Sequence, residues 1–138
     1  EGMPMTPKDL IRHTGIIYTG RARKPSDLLE LNGKQTGYHW KSTMRFNNIL
    51  SAKAAAIAQA GIILDMPMHH CYKEIVAGEL VPVLNGWHVP QLENYIACTV
   101  ESAKVKRVQL FLEWFVQRRR EIESEMKHTL QRDFGLKL

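Results

Sequence analysis

Residues 44–87, MRFNNILSAKAAAIAQAGIILDMPMHHCYKEIVAGELVPVLNGW, decide the fold of this chain. They are typical of an apolar strand, an Asn-Asn turn, an alanine-rich helix, a short apolar strand, a second helix and a last strand. Asn47 or Asn48 is placed to cap the first helix, and Gly61 is placed to end it. Since strands that alternate with helices at this spacing form βαβ units, the stretch predicts an α/β fold with a largely parallel sheet.

The sequence before this stretch predicts a short helix, a strand and a hairpin. Thr6 and Pro7 are placed as the cap and the first residue of the helix. Asn32-Gly33 indicates a hairpin turn because both residues accept positive φ. The predicted bounds are 6–13 for the helix, 15–20 for the strand, and 27–31 and 36–46 for the two arms of the hairpin, with Tyr38 and Trp40 on one face of the second arm.

Apolar runs later in the chain predict the elements that continue this alternation. A continuous apolar run is typical of a strand covered on both faces, and apolar residues three and four apart are typical of a helix. Pro82 interrupts one run and places that strand at an edge or makes it irregular. The predicted elements are a strand at 62–64, a helix at 68–77, strands at 80–84 and 95–100, and a helix from about 103 whose apolar stripe fades after Ile122.

The size and composition of the chain indicate one soluble domain. The chain has 138 residues, of which 44% are hydrophobic and 24% are charged, an ordinary globular balance. Its longest apolar run, at 54–64, is too short to cross a bilayer, and its first residues do not resemble a secretory signal. Two cysteines, Cys71 and Cys98, are too few for a disulfide scaffold, so we expect a cytoplasmic location without membrane contact.

The net charge of +5 raises the alternative of nucleic-acid binding. The residues that such a module would use are Arg21, Arg23 and Lys24 in a loop and the arginine run 118–120 in the last helix. Glutamates follow the second run and offset its charge, and neither a helix-turn-helix nor an aromatic stacking motif accompanies the basic residues. A stand-alone basic module therefore stays the alternative hypothesis.

Residues suited to catalysis or metal binding do not form a recognisable motif. His69 and His70 are neighbours on a predicted helix and point about 100° apart, so they do not converge on one ion. Cys98 is placed in an apolar strand, where a thiol usually packs inertly, and a cysteine nucleophile with a distant histidine stays open. The glycines are dispersed and form no phosphate loop. We predict no enzyme activity, no metal and no cofactor.

The Asn47-Asn48 pair is the strongest candidate for ligand binding. Capping accounts for one asparagine and leaves the other near a helix N-terminus, whose free N–H groups and partial positive charge favour small anions such as carboxylates. In open α/β sheets, ligands bind beyond the carboxyl ends of the strands. The residues predicted at such strand ends are Tyr18, Thr19, Phe46, Asn47, Asn48, Asp65 and Met66.

With these features the chain resembles the second lobe of the effector-binding domain of LysR-type transcriptional regulators. The resemblance rests on the strand that ends in Asn, the alanine-rich helix, the strand and turn at 61–67, and AGELVPVLNGW at 77–87. GMPMTPKDL at 2–10 and the hinge-like residues 90–100 match the flanks of the family pattern. Asp65 departs from that pattern, where an apolar residue is expected, and the proline expected after the hinge strand is missing.

The resemblance implies a type II periplasmic-binding-protein-like fold, with one Rossmann-like lobe around a central, largely parallel sheet and a C-terminal helix. The implied parts are an entry segment and short helix at 1–14, the effector-binding lobe at 15–100, and the C-terminal helix and tail at 101–138. The helix-turn-helix, the linker helix and the first lobe of the family would precede these parts, so we expect the chain to be a fragment of the regulator.

The resemblance also implies a function. A bacterial LysR-type regulator binds a small-molecule effector, often an anion, in a cleft between lobes, and the effector shifts the oligomer and so transcription. The implied partners are the effector, further copies in a homodimer or homotetramer, and DNA through the N-terminal helix-turn-helix. The seven strand-end residues are the expected effector contacts, and Phe111 and Phe115 are expected to contact another copy.

Overall fold

The computed structural model describes residues 2–20, 25–90 and 94–138. The chain forms two compact units, Glu1–Gln91 with Leu136–Leu138, and Leu92–Gly135. The first unit is mixed α/β and the second is helical. The elements of the first unit are a 3₁₀ helix at Pro7–Arg12, strands β1 (Thr14–Tyr18), β2 (Leu28–Leu31), β3 (Lys34–Gly37) and β4 (Ser42–Phe46), and helices α1 (Ile49–Ile57) and α2 (Met68–Val76).

The sheet that positions the predicted site is parallel, as the sequence predicts, but small. Strands β1 and β4 pair in parallel with Tyr18 beside Phe46, so both strands end at the same edge. Ile62 continues the sheet on the other side of β1 through two backbone hydrogen bonds of 2.8 and 2.9 Å. The predicted strand at 62–64 is therefore reduced to a single bridge.

The predicted N-terminal helix is confirmed, in the tighter 3₁₀ form. A carboxylate oxygen of Asp9 accepts hydrogen bonds from the backbone N–H of Thr6 at 2.8 Å and from its hydroxyl at 3.0 Å. These bonds satisfy donors that the helix start would otherwise leave unpaired. Leu10, on the same turn, is fully buried.

The hairpin turn is confirmed, but its predicted second arm is wrong. Asn32 and Gly33 both have positive φ, and β2 pairs antiparallel with β3. Strand β3 ends at Gly37 instead of continuing to 46, because Tyr38 turns into the core, where its hydroxyl donates to the carbonyl of Ser26 at 2.6 Å. The later residues of the predicted arm instead form β4 beside β1.

The start of the alanine-rich helix is confirmed and its predicted end is wrong. Asn48 is the cap of α1, whereas the helix ends at Ile57 and Gln59 takes the left-handed conformation (φ 60°). Gly61 is needed for a different reason: a Cβ there would lie 2.5 Å from the carbonyl oxygen of Thr14. The glycine thus permits close approach of two backbones rather than ending the helix.

Helix α2 is confirmed, whereas the two strands predicted after it do not form. Residues 80–84 have no regular structure, since Pro82 lacks an N–H donor and Leu84 turns the chain with a φ of 56°. Residues 94–99 also have none. Thr99 instead begins a helix, because its hydroxyl accepts the N–H of Ser102 at 3.2 Å.

The core of the first unit joins segments that are distant in sequence. Leu10, Leu29, Tyr38 and Leu84 are its buried members. They come from three parts of the unit, so the core holds the 3₁₀ helix, the hairpin and the irregular residues near 84 together. Partly buried side chains pack around it: Trp40, Ile62, Leu64, Val83, Trp87 and Val89.

The second unit consists of helices α3 (Val100–Ala103) and α4 (Lys106–Phe134). The helix α4 continues well beyond Ile122, where its apolar stripe was predicted to fade, and ends at Gly135 in the left-handed conformation. None of the helices in the described part of the chain combines the length and the apolarity needed to cross a membrane.

Candidate functional site at the carboxyl ends of the strands

The carboxyl ends of β1 and β4 are held together by Thr19. Its backbone N–H donates to the carbonyl oxygen of Phe46 at 2.8 Å, and its hydroxyl donates to the same oxygen at 3.2 Å. Both residues are half-buried. Two of the predicted contacts are therefore joined directly, at the edge of the sheet where α/β folds bind ligands.

Asn48 caps α1, which directs the N-terminus of this helix to the same edge. Its Oδ1 accepts the backbone N–H groups of Leu50 at 2.8 Å and Ser51 at 3.2 Å, so the side-chain carbonyl is fully used. Asn47 is exposed, and within the described residues its side-chain amide has no hydrogen-bond partner. Asn48 is thus the capping residue, and Asn47 is the residue with a spare amide.

The charge at this edge favours an anion over a cation. The first turn of α1, which the structure describes in full, contains no acidic residue, so the partial positive charge of the helix N-terminus is not offset there. Tyr18 stands at the end of β1, and its ring lies so close to Gly20 that any larger residue would overlap the phenol. A phenol and a free amide are suitable hydrogen-bond donors to a carboxylate.

Asp65 and Met66 follow the segment that begins at Ile62. Both side chains are half-buried, and Met66 also lines a groove described below. They follow the single β-bridge at Ile62, whereas Thr19 and Phe46 lie at the ends of the paired strands β1 and β4. These two contacts therefore stay predictions that rest on their position after a segment of the sheet.

An ion pair that the sequence did not predict connects α1 to α2. Nζ of Lys53 lies 2.6 Å from Oε1 of Glu74, and both side chains are largely covered. The hydrogen bond from Lys53 is the main reason that the pKa of Glu74 is lowered. No motif marks such a pair, since the two residues lie far apart in sequence and on different helices.

A groove of about 720 Å³ was also not predicted, and we call it the edge groove. Its lining includes the segment 61–64 and residues 78–84. Of the predicted effector contacts, Met66 alone lines it, so it is distinct from the strand-end site. Its remaining walls come from residues near the start of β1 (His13, Thr14), from Leu29 of β2, from the end of α1 and the turn after it (Ala56, Gln59, Ala60), from α2 (Cys71, Ile75) and from Trp87, His88 and Val89.

The two cysteines differ in burial, and the exposure of Cys98 differs from the sequence prediction. Burial, and next the charge of Glu74, raise the pKa of the half-buried Cys71 thiol, which disfavours the thiolate that a nucleophile requires. Cys98 is exposed, so its predicted place in a packed strand is wrong. In the described ranges, no group of three or more His, Cys, Asp or Glu residues is arranged to hold a metal ion.

The structure describes some of the basic residues that the nucleic-acid-binding alternative would use. On α4, Arg118 pairs with Glu121 at 3.3 Å and Arg119 with Glu123 at 2.7 Å, so two of the three cations of this run have local anionic partners. Arg21, Arg23 and Lys24 lie outside the described residues. The pairing on α4 weakens the case for a phosphate-binding surface there.

Comparison with known proteins gives one match. A family model described as "LysR substrate binding domain" matches residues 1–120 of the chain. Neither the curated proteins nor the solved structures give a significant match. The matched range contains all seven strand-end residues and stops within α4.

Proposed function

We propose a function for this chain from the family to which it belongs, the LysR substrate binding domains. The chain is the effector-sensing part of a bacterial LysR-type transcriptional regulator, which acts in the cytoplasm as a homo-oligomer and binds DNA through the helix-turn-helix of the intact protein. In this proposal, residues 15–100 are one lobe of a type II periplasmic-binding-protein-like domain, 1–14 are its entry segment, and 101–138 are the C-terminal helix and tail.

The observation that carries the proposal is the junction of Thr19 with Phe46. It brings the carboxyl ends of two parallel strands together where Asn48 starts α1. A ligand at this edge would meet the positive end of a helix without acidic neighbours in its first turn, and the amide of Asn47. This chemistry favours a small carboxylate or a similar anion as the effector.

The residues that we assign to the effector have different roles. Asn47 and Tyr18 donate hydrogen bonds to the anion, and Thr19 and Asn48 hold the two strand ends and the helix in place. Phe46, Asp65 and Met66 form the surrounding wall. Effector binding changes transcription only to the extent that the effector binds one conformation of the regulator more tightly than another.

The proposal is tested by titrating the chain with acetate, benzoate and succinate in an isothermal titration calorimeter. We expect at least one of these anions to bind saturably, and Asn47→Ala to weaken its binding at least tenfold. Asn48→Asp is the matched variant, because aspartate caps helices as well as asparagine does but places a negative charge at the site. It should keep the melting temperature and lose the anion. Absence of saturable binding by the wild-type chain, or wild-type affinity in both variants, would contradict the assignment.

A further inference from the structure

Gly20 follows β1, and its backbone conformation does not require a glycine. Five glycines in the described part of the chain have positive φ, where a side chain would be strained, and Gly20 is not one of them. A tight turn therefore does not account for the glycine at this position. The space beside it does, because a Cβ on residue 20 would overlap both the ring and the hydroxyl oxygen of Tyr18.

This overlap shows where the phenol of Tyr18 lies. Tyr18 is the last residue of β1, and its ring occupies the place that a side chain of residue 20 would take. Residue 20 comes directly after Thr19, which two hydrogen bonds to the carbonyl oxygen of Phe46 fix to the end of β4. The hydroxyl of Tyr18 therefore lies beyond the carboxyl end of β1, where the proposed effector would bind.

The hydroxyl of Tyr18 is also available to a ligand. The side chain is half-buried, and among the described residues its oxygen has no hydrogen-bond partner. In the described part of the chain, no side-chain oxygen or nitrogen is both buried and unpaired, so this oxygen is open to solvent. A phenol donates a hydrogen bond to a carboxylate, and a ring that is already held against the backbone loses less conformational freedom on binding.

We propose that Gly20 is a positioning residue of the effector site: because it lacks a side chain, the phenol of Tyr18 lies beyond the end of β1 and donates to the anion. This inference rests on the proposed function, since it concerns the same ligand. Gly20 acts through Tyr18 and does not itself contact the effector. Any larger residue at position 20 displaces the phenol and so removes this donor from the site.

A double-mutant cycle on anion affinity tests the role of Gly20. Acetate, benzoate and succinate are titrated by calorimetry into the wild-type chain, Gly20→Ala, Tyr18→Phe and the double variant. For an anion that the wild type binds, each single variant should weaken binding about tenfold, as loss of a hydrogen bond to a charged group does. Gly20→Ala should have no further effect in the Tyr18→Phe background, because the donor is already missing there.

Gly37→Ala is the matched control for the replacement of a glycine. Gly37 also has no positive φ, and a Cβ there would meet only the carbonyl oxygen of Asp27, at an ordinary contact distance of 3.9 Å. This variant should keep the wild-type affinity, which separates the effect of the overlap from the effect of alanine on the unfolded chain. Melting temperatures establish that the affinities compare folded chains.

NMR measures the position of the ring without any ligand. In the wild-type chain we expect nuclear Overhauser effects between the ring protons of Tyr18 and the Hα protons of Gly20. Tyr18→Leu, which removes the ring, should change the chemical shifts of the Gly20 protons and leave those of Gly37 unchanged. This measurement does not depend on whether Gly20→Ala folds.

The outcomes distinguish the role of Gly20 from the proposed function. If the wild type binds none of the anions, the proposed function is wrong and the role of Gly20 is wrong with it. If the wild type binds an anion and Gly20→Ala binds it equally well, only the positioning role is wrong. The same conclusion follows if Gly20→Ala weakens binding as strongly in the Tyr18→Phe background, or if the wild-type spectra show no contact between Tyr18 and Gly20.

Discussion

Lys53 and Glu74 join α1 to α2 through an ion pair with an Nζ to Oε1 distance of 2.6 Å. The exposed fractions of the two side chains are 21% and 17%, so the pair is shielded from water more than most surface pairs. It connects the helix whose N-terminus faces the proposed effector site to the helix that forms one wall of the edge groove.

We predict that Glu74→Gln lowers the free energy of unfolding at pH 7 and flattens its acid dependence. The lowered pKa of Glu74 means that the folded state favours the carboxylate. The pair therefore contributes fully above the unfolded-state pKa of Glu74, and this contribution is lost as the pH falls through the folded-state pKa. Urea denaturation from pH 3 to 7 measures the effect.

The control for this prediction is Glu113→Gln, at an exposed position of α4. The free energy of unfolding of this variant should follow the wild-type pH dependence. If Glu74→Gln and Glu113→Gln have the same pH profile, the ion pair does not stabilise the fold.

Asp9 should titrate far below other aspartates. Hydrogen bonds from the backbone and the hydroxyl of Thr6, and then from the backbone of Met5, lower its pKa from 3.8 to about 2. The stability that these bonds contribute is present above 3.8 and is lost as the pH falls toward 2. A carboxyl-carbon NMR titration should give this low value, and Thr6→Val should raise it more than Arg12→Ala does. An ordinary aspartate pKa in the wild type would be inconsistent with the hydrogen bonds from Thr6 to Asp9.

Gly15 should not accept a side chain, and the reason is Trp40. A Cβ at position 15 would overlap the indole ring. We expect Gly15→Ala to reduce the free energy of unfolding by about 1–3 kcal/mol, as overpacking does. In the double variant with Trp40→Leu the combined loss should be smaller than the sum of the single losses, because the smaller side chain removes the overlap.

Gly61→Ala is the control for the test of Gly15 and Trp40. There, a Cβ would meet the backbone carbonyl of Thr14, which truncation of a side chain does not move. Gly61→Ala should therefore destabilise the chain, and Trp40→Leu should not relieve the loss. Chemical denaturation of the five variants decides the matter, and additive losses for Gly15→Ala with Trp40→Leu would refute the overlap.

Asn48 should be more important for stability than Asn47. Its Oδ1 accepts two N–H groups of α1, so Asn48→Ala should cost about 1 kcal/mol of unfolding free energy. Asn48→Asp should stay within a few tenths of a kcal/mol of the wild type, since aspartate is an equally good cap. The unfolding free energy of Asn47→Ala should also stay within a few tenths of a kcal/mol of the wild type. Thermal and urea unfolding measure these differences, and a larger loss for Asn47→Ala would reverse the assignment of the cap.

Much of the fold was predictable where the relevant interactions are local. The start of α1 at one of two asparagines, the hairpin turn at Asn32 and Gly33, and the start of α2 each depend on residues within four positions of one another. The family resemblance, confirmed by the match over 1–120, likewise rests on the order and spacing of such local signals. Two of the predicted strand ends, at Thr19 and Phe46, also meet, because β1 and β4 pair in parallel.

Other features were not predictable because they depend on distant partners. The second hairpin arm stops early because Tyr38 finds a partner in Ser26 and a place in the core. Residues 80–84 and 95–100 have apolar, strand-like sequences, yet a strand forms only where a neighbouring backbone completes its hydrogen bonds. Composition alone does not reveal whether that neighbour is present.

The sequence by itself determined the family, the hairpin turn and the asparagine pair that precedes α1, because capping, turn and periodicity signals act within a few residues. Only the tertiary structure decided the role of Gly61, the Lys53–Glu74 pair and the edge groove. Each of these depends on which backbones and side chains meet after folding. Such contacts do not produce a sequence motif with a fixed spacing.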